Sequence, residues 1–220
     1  MSKNIDIISL EITWNNLKSI ADESYITLMK SAFSTNIKER HDHSTAITNS
    51  RGKLIAQAEN ALPAHLASMG GLIQHVIDEY GENIFEGDIF IANDPHVAGG
   101  THLPDINMAM PIFSKNQLMG FVANIVHHAD VGGAAVGSMS GGLNEIYKEG
   151  LRIPLVRLYN KGKIVRDVFR LLLLNMRLSD ERKGDLNAQI SACRLGVKRV
   201  KELISKHDEV YLNNTFEEIL

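Results

Sequence analysis

The chain reads as an α+β protein in which antiparallel hairpins, or a mixed sheet, pack against several long helices. Three observations predict this. Two long segments, near each end of the chain, carry apolar residues at helical spacing. Between them lie β-compatible runs paired across short turns. The helices and hairpins do not follow one another in the regular βαβ rhythm that a doubly wound parallel sheet would require.

The first segment covers residues 9–33. Leu10, Trp14, Leu17, Ala21, Tyr25, Leu28 and Ala32 recur at spacings of four and three, which makes one apolar stripe. Asn36 to Asp42 is polar and loop-like. The runs 43–49 and 53–59 flank Asn49-Ser-Arg-Gly52 and predict a first hairpin. A second helix is expected after Pro63, with Leu66, Met69, Ile73, Val76 and Tyr80 on one face, although Gly70-Gly71 weakens it. Ile89-Phe90-Ile91 reads as a short buried strand leading into a polar, glycine-rich loop, 93–105. Asp105–Phe113 and Leu118–His127 flank Ser114-Lys-Asn-Gln117 and predict a second hairpin. The segment from Val131 to Gly142 is glycine-rich and reads as flexible or lid-like, with an anion cradle of backbone amides as an alternative. Short strands follow Pro154 as far as Val165. Helices are expected near 167–175 and over 179–207, the second with Leu186, Ile190, Cys193, Val197, Val200 and Ile204 in one stripe. Residues 6–206 are expected to form a single domain, and 207–220, poor in apolar content, a frayed tail.

Composition narrows the function. Of 220 residues, 44% are hydrophobic and 22% charged, enough for an ordinary core. The net charge of −3 gives no electrostatic footprint for nucleic acid. Lys198, Arg199 and Lys201 cluster, but on a helix they make a solvated face. One cysteine, Cys193, excludes an internal disulfide and reads as a small buried hydrophobe. No apolar run approaches the ~20 residues of a membrane span, and the start lacks the apolar stretch of a signal peptide, so a cytoplasmic location is expected. There is no Walker phosphate-binding spacing and no Gly-x-Ser-x-Gly elbow.

The chemistry-bearing cluster is His102-x-x-Asp105 followed by His127-His128-Ala-Asp130. Imidazole and carboxylate suit zinc, manganese or iron. With Lys115 and Asn116 as the central turn residues, Asp105 faces Val126 and His127 faces Pro104. A shift of one residue sets Asp105 directly opposite His127. Either way both motifs occupy one end of the hairpin, within about the 4.5–7.5 Å of strand neighbours, and His102 can fold over that end. Spacing alone leaves two readings open, a metal site or hydrogen-bonding loop residues. Asp42 by itself is a solvated turn residue or ion-pair partner. Glu145, Glu149 and Arg152 read equally as substrate contacts or as helix-end charge pairs.

Many segments together carry a family resemblance. They begin with Asn36-Ile-Lys-Glu-Arg-His-Asp42-His-Ser, Leu54-Ile-Ala-Gln-Ala58 and Pro63-Ala-His65-Leu-Ala-Ser-Met69. They continue with Gly87-Asp-Ile-Phe-Ile-Ala-Asn-Asp94-Pro, Gly99-Gly-Thr-His102-Leu-Pro-Asp105, Gly120-Phe-Val-Ala-Asn124 and His127-His-Ala-Asp130-Val-Gly-Gly133. Gly137-Ser-Met139, Glu145-Ile-Tyr-Lys-Glu-Gly150, Leu151-Arg-Ile-Pro154 and Glu181-Arg-Lys-Gly-Asp185-Leu-Asn-Ala-Gln189 complete the set. In this order they resemble the amino-terminal portion of the hydantoinase B/oxoprolinase family, which includes N-methylhydantoinase B and acetone carboxylase alpha-type subunits.

The resemblance implies a multi-subunit, ATP-dependent enzyme. A partner of hydantoinase A type uses ATP and magnesium to phosphorylate a small-molecule substrate, and the B-type subunit binds a divalent metal and completes hydrolysis of a cyclic amide. Carboxylation of a ketone is the alternative reaction, and a non-catalytic scaffold the alternative role. The implied metal ligands are Asp42, His102, Asp105 and His127. His128 or His65 would then shuttle a proton, because imidazole titrates near neutrality, and Glu145, Glu149 and Arg152 would contact substrate. The family's B subunits are usually longer, so the chain is read as a naturally split subunit, a truncated product or one piece of a multi-subunit carboxylase, with any active-site residues of the remaining half supplied by another chain.

Overall fold

In the computed structural model, residues 6–96, 100–207 and 209–220 are described. Gly99 of the Gly-Gly-Thr-His motif lies outside them. The elements are α1 (Ile7–Ser31), α2 (Thr35–Lys38), β1 (His43–Asn49), β2 (Leu54–Gln57), α3 (Pro63–Tyr80), β3 (Ile89–Ala92), β4 (Asp105–Ser114), β5 (Gln117–His127), β6 (Val156–Asn160), β7 (Lys163–Ile164), α4 (Arg166–Asn175), α5 (Ser179–Lys206) and α6 (Glu209–Glu218). Seven strands form one sheet in the order β2-β1-β5-β4-β3-β6-β7. Every pairing is antiparallel, so the fold is α+β.

Helices cover both faces. The stripe of α3 (Met69, Leu72, Ile73, Val76) packs with Phe90, Ala109, Phe121 and Ala123 on one side. On the other side α1, α5 and α6 meet Ile47, Ile112 and Val122, while α4 and α5 cover Ile89, Ile91, Ile106 and Met108. β3 is buried along its whole length, and β4 and β5 nearly so. Their apolar content is therefore nearly continuous rather than alternating, as a strand covered on both faces requires.

The β4–β5 hairpin turns at Lys115 and Asn116, with φ of 46° and 80°. Two positive values are the mark of a type I′ turn, whose twist matches the flanking strands. Pairing starts at Ser114↔Gln117 and Phe113↔Leu118, then shifts to Ile112↔Gly120, so Met119 is an extra residue in β5. Beside this bulge the backbones of β5 and β1 close in. A Cβ on Gly120 would lie 2.0 Å from the Thr48 carbonyl oxygen, so only glycine fits there.

Residues 209–218 correct the expectation of a frayed tail: they form α6, with Leu212, Thr215 and Phe216 buried. Leu212, Phe216 and Ile219 recur at helical spacing and join the α1–α5 core, and the Tyr211 hydroxyl lies 3.3 Å from Thr13 Oγ1. This stripe is short and interrupted by Asn213-Asn214, which hides it in a composition average. Trp14, assigned to the buried stripe of α1, is 41% exposed, yet its indole N–H donates to the Ile55 carbonyl at 3.0 Å.

One buried ion pair ties the layers together. Arg182 and Asp185 on α5 have fully buried side chains and meet at 3.0 Å. Asp185 Oδ1 also accepts the backbone N–H groups of Phe33 and Ser34, at 2.7 and 3.0 Å. The segment between α1 and α2 is thus hung from α5. Removing one partner of such a pair strands a buried charge. Arg182→Met is expected to lower unfolding stability by about 3–5 kcal/mol, read as a reduced midpoint in urea denaturation.

Candidate metal centre

The ends of three interior strands, β1, β5 and β4, meet at one end of the sheet. Asp105 is the first residue of β4 and lies directly opposite His127, the last residue of β5. On the other side of β5, His43 of β1 pairs with Val126, and the Asp42 carbonyl accepts the His127 N–H at 3.0 Å. His127 therefore sits between Asp42 and Asp105. His102 belongs to the turn that enters β4, where the Asp105 N–H reaches back to its carbonyl at 3.1 Å.

His102, Asp105 and His127 each turn one donor atom to a common point, all within 4.8 Å of one another. His102 Nε2 is 3.0 Å from Asp105 Oδ1 and 3.0 Å from His127 Nδ1, and His127 Nδ1 is 3.2 Å from the same carboxylate oxygen. The second oxygen of Asp105 accepts the Thr101 hydroxyl. Asp42 borders the group: its Oδ2 lies 4.0 Å from His127 Nδ1, and its Oδ1 lies 3.7 Å from His65 Nε2. His65 comes from the first turn of α3, started by Pro63. Its Nδ1 is 3.1 Å from the Ser44 hydroxyl, which also accepts the Leu62 N–H at 2.8 Å.

Burial opposes ionisation of Asp105, but hydrogen bonds from His102, His127 and Thr101 outweigh it and hold the carboxyl well below the usual range. The hydrogen bond to Asp105 raises the pKa of His102 against the cost of its burial. Burial lowers that of His65, against the pull of Asp105 and Asp42.

These groups line an open cleft of about 610 Å³, together with Asn36, Arg40, Thr101, Gly137 and Met139. All four residues named by the resemblance as ligands reach it, and so does His65. His128 does not. It is fully buried, its Nε2 lies 2.9 Å from Gln189 Oε1 on α5, and burial pushes its pKa down to about 4. Successive residues leaving a strand point to opposite faces, so His127 and His128 part company. The three substrate-contact candidates also lie outside the cleft lining. Glu145 is exposed at the start of a 3₁₀ turn, Ile146–Lys148. Glu149 Oε2 faces the Leu103 N–H at 3.5 Å. Arg152 is committed to Asp94, with Nε 2.7 Å from Oδ2. Asn36 and Arg40 were missed as cleft residues, although they stand inside the 36–44 motif.

The glycine-rich segment is tethered rather than lid-like at its base. Asp130 accepts the Gly132 and Gly137 N–H groups, both at 2.7 Å. Arg177, just beyond α4, donates to Asp130 and to the carbonyls of Gly132, Gly133 and Ala135. Cys193 is buried and its thiol is pushed up to about 12, which removes it from nucleophilic chemistry. Among the described residues no helix is long and apolar enough to cross a membrane.

Fold and site together define an α+β domain with a His/Asp cluster at the mouth of a cleft. Residues 6–220 match the family described as hydantoinase B/oxoprolinase. An uncharacterised protein of Methanocaldococcus jannaschii is 42% identical over 208 residues, covering 93% of this chain and 37% of that protein. The caprolactamase subunit beta of Pseudomonas jessenii is 35% identical over 203 residues, covering 92% and 35%. The crystal structure of ATP-dependent caprolactamase from Pseudomonas jessenii superposes with a TM-score of 0.91 at 33% identity, covering 99% of this chain and 37% of that one. The chain belongs to the hydantoinase B/oxoprolinase family and spans a little over a third of the length of these relatives.

Arg177→Ala is expected to free the 130–138 loop while leaving the sheet intact. Hydrogen exchange at the Gly132 and Gly137 amides should accelerate, with protection in β4 and β5 unchanged.

Proposed function

We propose that this chain is the metal-binding subunit of an ATP-dependent cyclic-amide hydrolase of the hydantoinase/5-oxoprolinase type. Its substrate would be phosphorylated by a partner of hydantoinase A type. The triangle of His102 Nε2, His127 Nδ1 and Asp105 Oδ1 carries this reading. Each edge of the triangle is 3.0–3.2 Å, but the two ring nitrogens hold at most one proton each. No more than two edges can be hydrogen bonds at once. With both nitrogens protonated, the rings donate to Asp105 and the His102–His127 edge is left without a proton, whereas a cation at the centre uses all three lone pairs at once.

The donor set fits zinc, manganese or iron(II). Ligands held tetrahedrally at ~2.1 Å stand about 3.4 Å apart, so the triangle need open by only a few tenths of an ångström, with Asp42 as a fourth ligand. When bound, such an ion supplies Lewis acidity toward an amide or activated carbonyl oxygen. The ATP and Mg²⁺ of the overall reaction belong to the partner. That a relative is named ATP-dependent caprolactamase supports the substrate class.

His65 is the proton-transfer group in this scheme. Burial favours its neutral form, which can accept a proton. Ser44 holds its Nδ1, leaving Nε2 beside Asp42 to take a proton from the attacking water. The Asp42 carboxylate steadies the imidazolium that results. Returning that proton to the lactam nitrogen cleaves the C–N bond and leaves an acyl phosphate, which a second water hydrolyses to the carboxylate and inorganic phosphate.

The test is elemental analysis of the purified complex together with ATP-dependent lactam hydrolysis. About one divalent ion per chain is expected, and Asp105→Ala should lose both the ion and the activity. Full turnover by Asp105→Ala after chelation would falsify the metal reading. His65→Ala should keep its metal and lose roughly 10²–10⁴ in kcat; an unchanged kcat with normal metal content rules His65 out as the base.

A further inference from the structure

We propose that Arg40, assisted by Asn36, forms an oxyanion subsite of the same cleft, so that the substrate presents a phosphoryl or carboxylate group there. The inference rests on the metal-centre reading above. Arg40 is the only cationic residue lining the cleft among the described residues. Its side chain makes no hydrogen bond or ion pair within them. Other arginines nearby in the fold are committed: Arg152 to Asp94 and Arg177 to Asp130 in loops, and Arg182 to Asp185 on α5.

Local structure aims Arg40. The turn of α2 continues to Arg40, whose N–H reaches the Thr35 carbonyl at 3.2 Å. Asn36 and Arg40 are four residues apart and share one side of that turn; both line the cleft, whereas Lys38 and Glu39 do not. The turn itself is fixed. Ile37 is fully buried beneath it, and the buried Asp185 carboxylate holds the Phe33 and Ser34 amides ahead of it. A guanidinium on an anchored backbone beside the metal donors is pre-organised for a ligand.

Charge complementarity names that ligand. The cleft's two carboxylates, Asp42 and Asp105, balance a divalent cation. The histidines being neutral as ligands or base, the charge of Arg40 remains unmatched. Guanidinium pairs with oxyanions through a two-pronged fork, and the Asn36 carboxamide adds a donor. A neutral lactam offers nothing for these groups to neutralise; one carrying a phosphoryl group or a carboxylate does.

Calorimetric titration of inorganic phosphate into the manganese-loaded chain and its Arg40→Gln form tests this, with manganese content measured in both. Arg40→Gln is expected to bind phosphate roughly 10- to 100-fold more weakly with unchanged manganese, and Arg40→Lys to recover only part of the affinity. Equal phosphate affinity in wild type and Arg40→Gln, or no phosphate binding by wild type, overturns the subsite. A wild-type chain that takes up none of manganese, zinc and iron(II) sinks the metal reading instead, and the same titrations on metal-free protein then decide Arg40 alone by the same criteria. Acetate titrations assign the source: a loss larger for phosphate points to the phosphoryl group, and a loss larger for acetate to a carboxylate.

Discussion

The register between β4 and β5 is the constraint on which the site depends. Counting back from the Lys115-Asn116 turn without interruption would set Asp105 against Val126. Side chains alternate, so a slip of one residue sends every partner to the other face of the sheet. Met119 prevents this. By inserting one residue into β5 it advances the pairing, and Asp105 comes to face His127. The bulge lies far along the ladder from the cluster, but a ladder transmits register rigidly. Gly120 lets β1 close against the bulged strand without a clash, so that β1 in turn delivers Asp42 to the other side of His127. A bulge at one end of a hairpin thereby sets which side chains meet at the opposite end.

The donors are costly to place, and the packing shows how the cost is met. Asp105 and His127 are nearly buried, where an unpaired charge or a lone polar atom is strongly disfavoured. Hydrogen bonds from Thr101, His102 and His127 stabilise the carboxylate there. Behind the sheet a second polar network performs a mechanical task. Gln189 binds His128 and Asn124, and Arg182 with Asp185 suspends the segment that leads to Asn36, Arg40 and Asp42. This network lies on the opposite side of β5 from the cluster. The motif from Glu181 to Gln189, with no residue in the cleft, is thereby accounted for.

Much of this was legible in the sequence. The long helices, both hairpins and the identity of the turn residues follow from periodicity and turn chemistry. So does the meeting of His102, Asp105 and His127 at one hairpin end. Spacing could not fix the register, because a bulge without a glycine in the extra position leaves little local trace: Met119 reads as one more apolar strand residue. Asp42 was reachable only through the family resemblance, since its approach depends on β1 pairing with β5 across more than seventy residues of chain. His128 shows the reverse error. Adjacent histidines invite a shared role, yet strand alternation, visible in the sequence, already separates them. The loop after Asp130 was misread because its glycines suggest freedom, whereas the tether comes from Arg177, distant in sequence.

If the cluster holds a metal and His65 moves the proton, the two tasks fall on different elements, and this division has a physical advantage. The donors His102, Asp105 and His127 come from strand ends and the turn entering them, a framework locked by ladder hydrogen bonds. His65 comes from the first turn of α3, on the other face of the sheet from α5, and is tied to the strands through Ser44 rather than through the donors. Its basicity is therefore set first by burial, and only then by the fields of Asp105 and Asp42. A change in the charge at the cluster shifts His65 through those fields alone, while its orientation stays with Ser44 and α3. Asp42 lies between the two groups, 3.7 Å from His65 and 4.0 Å from His127, and so it would be a residue through which the two tasks communicate.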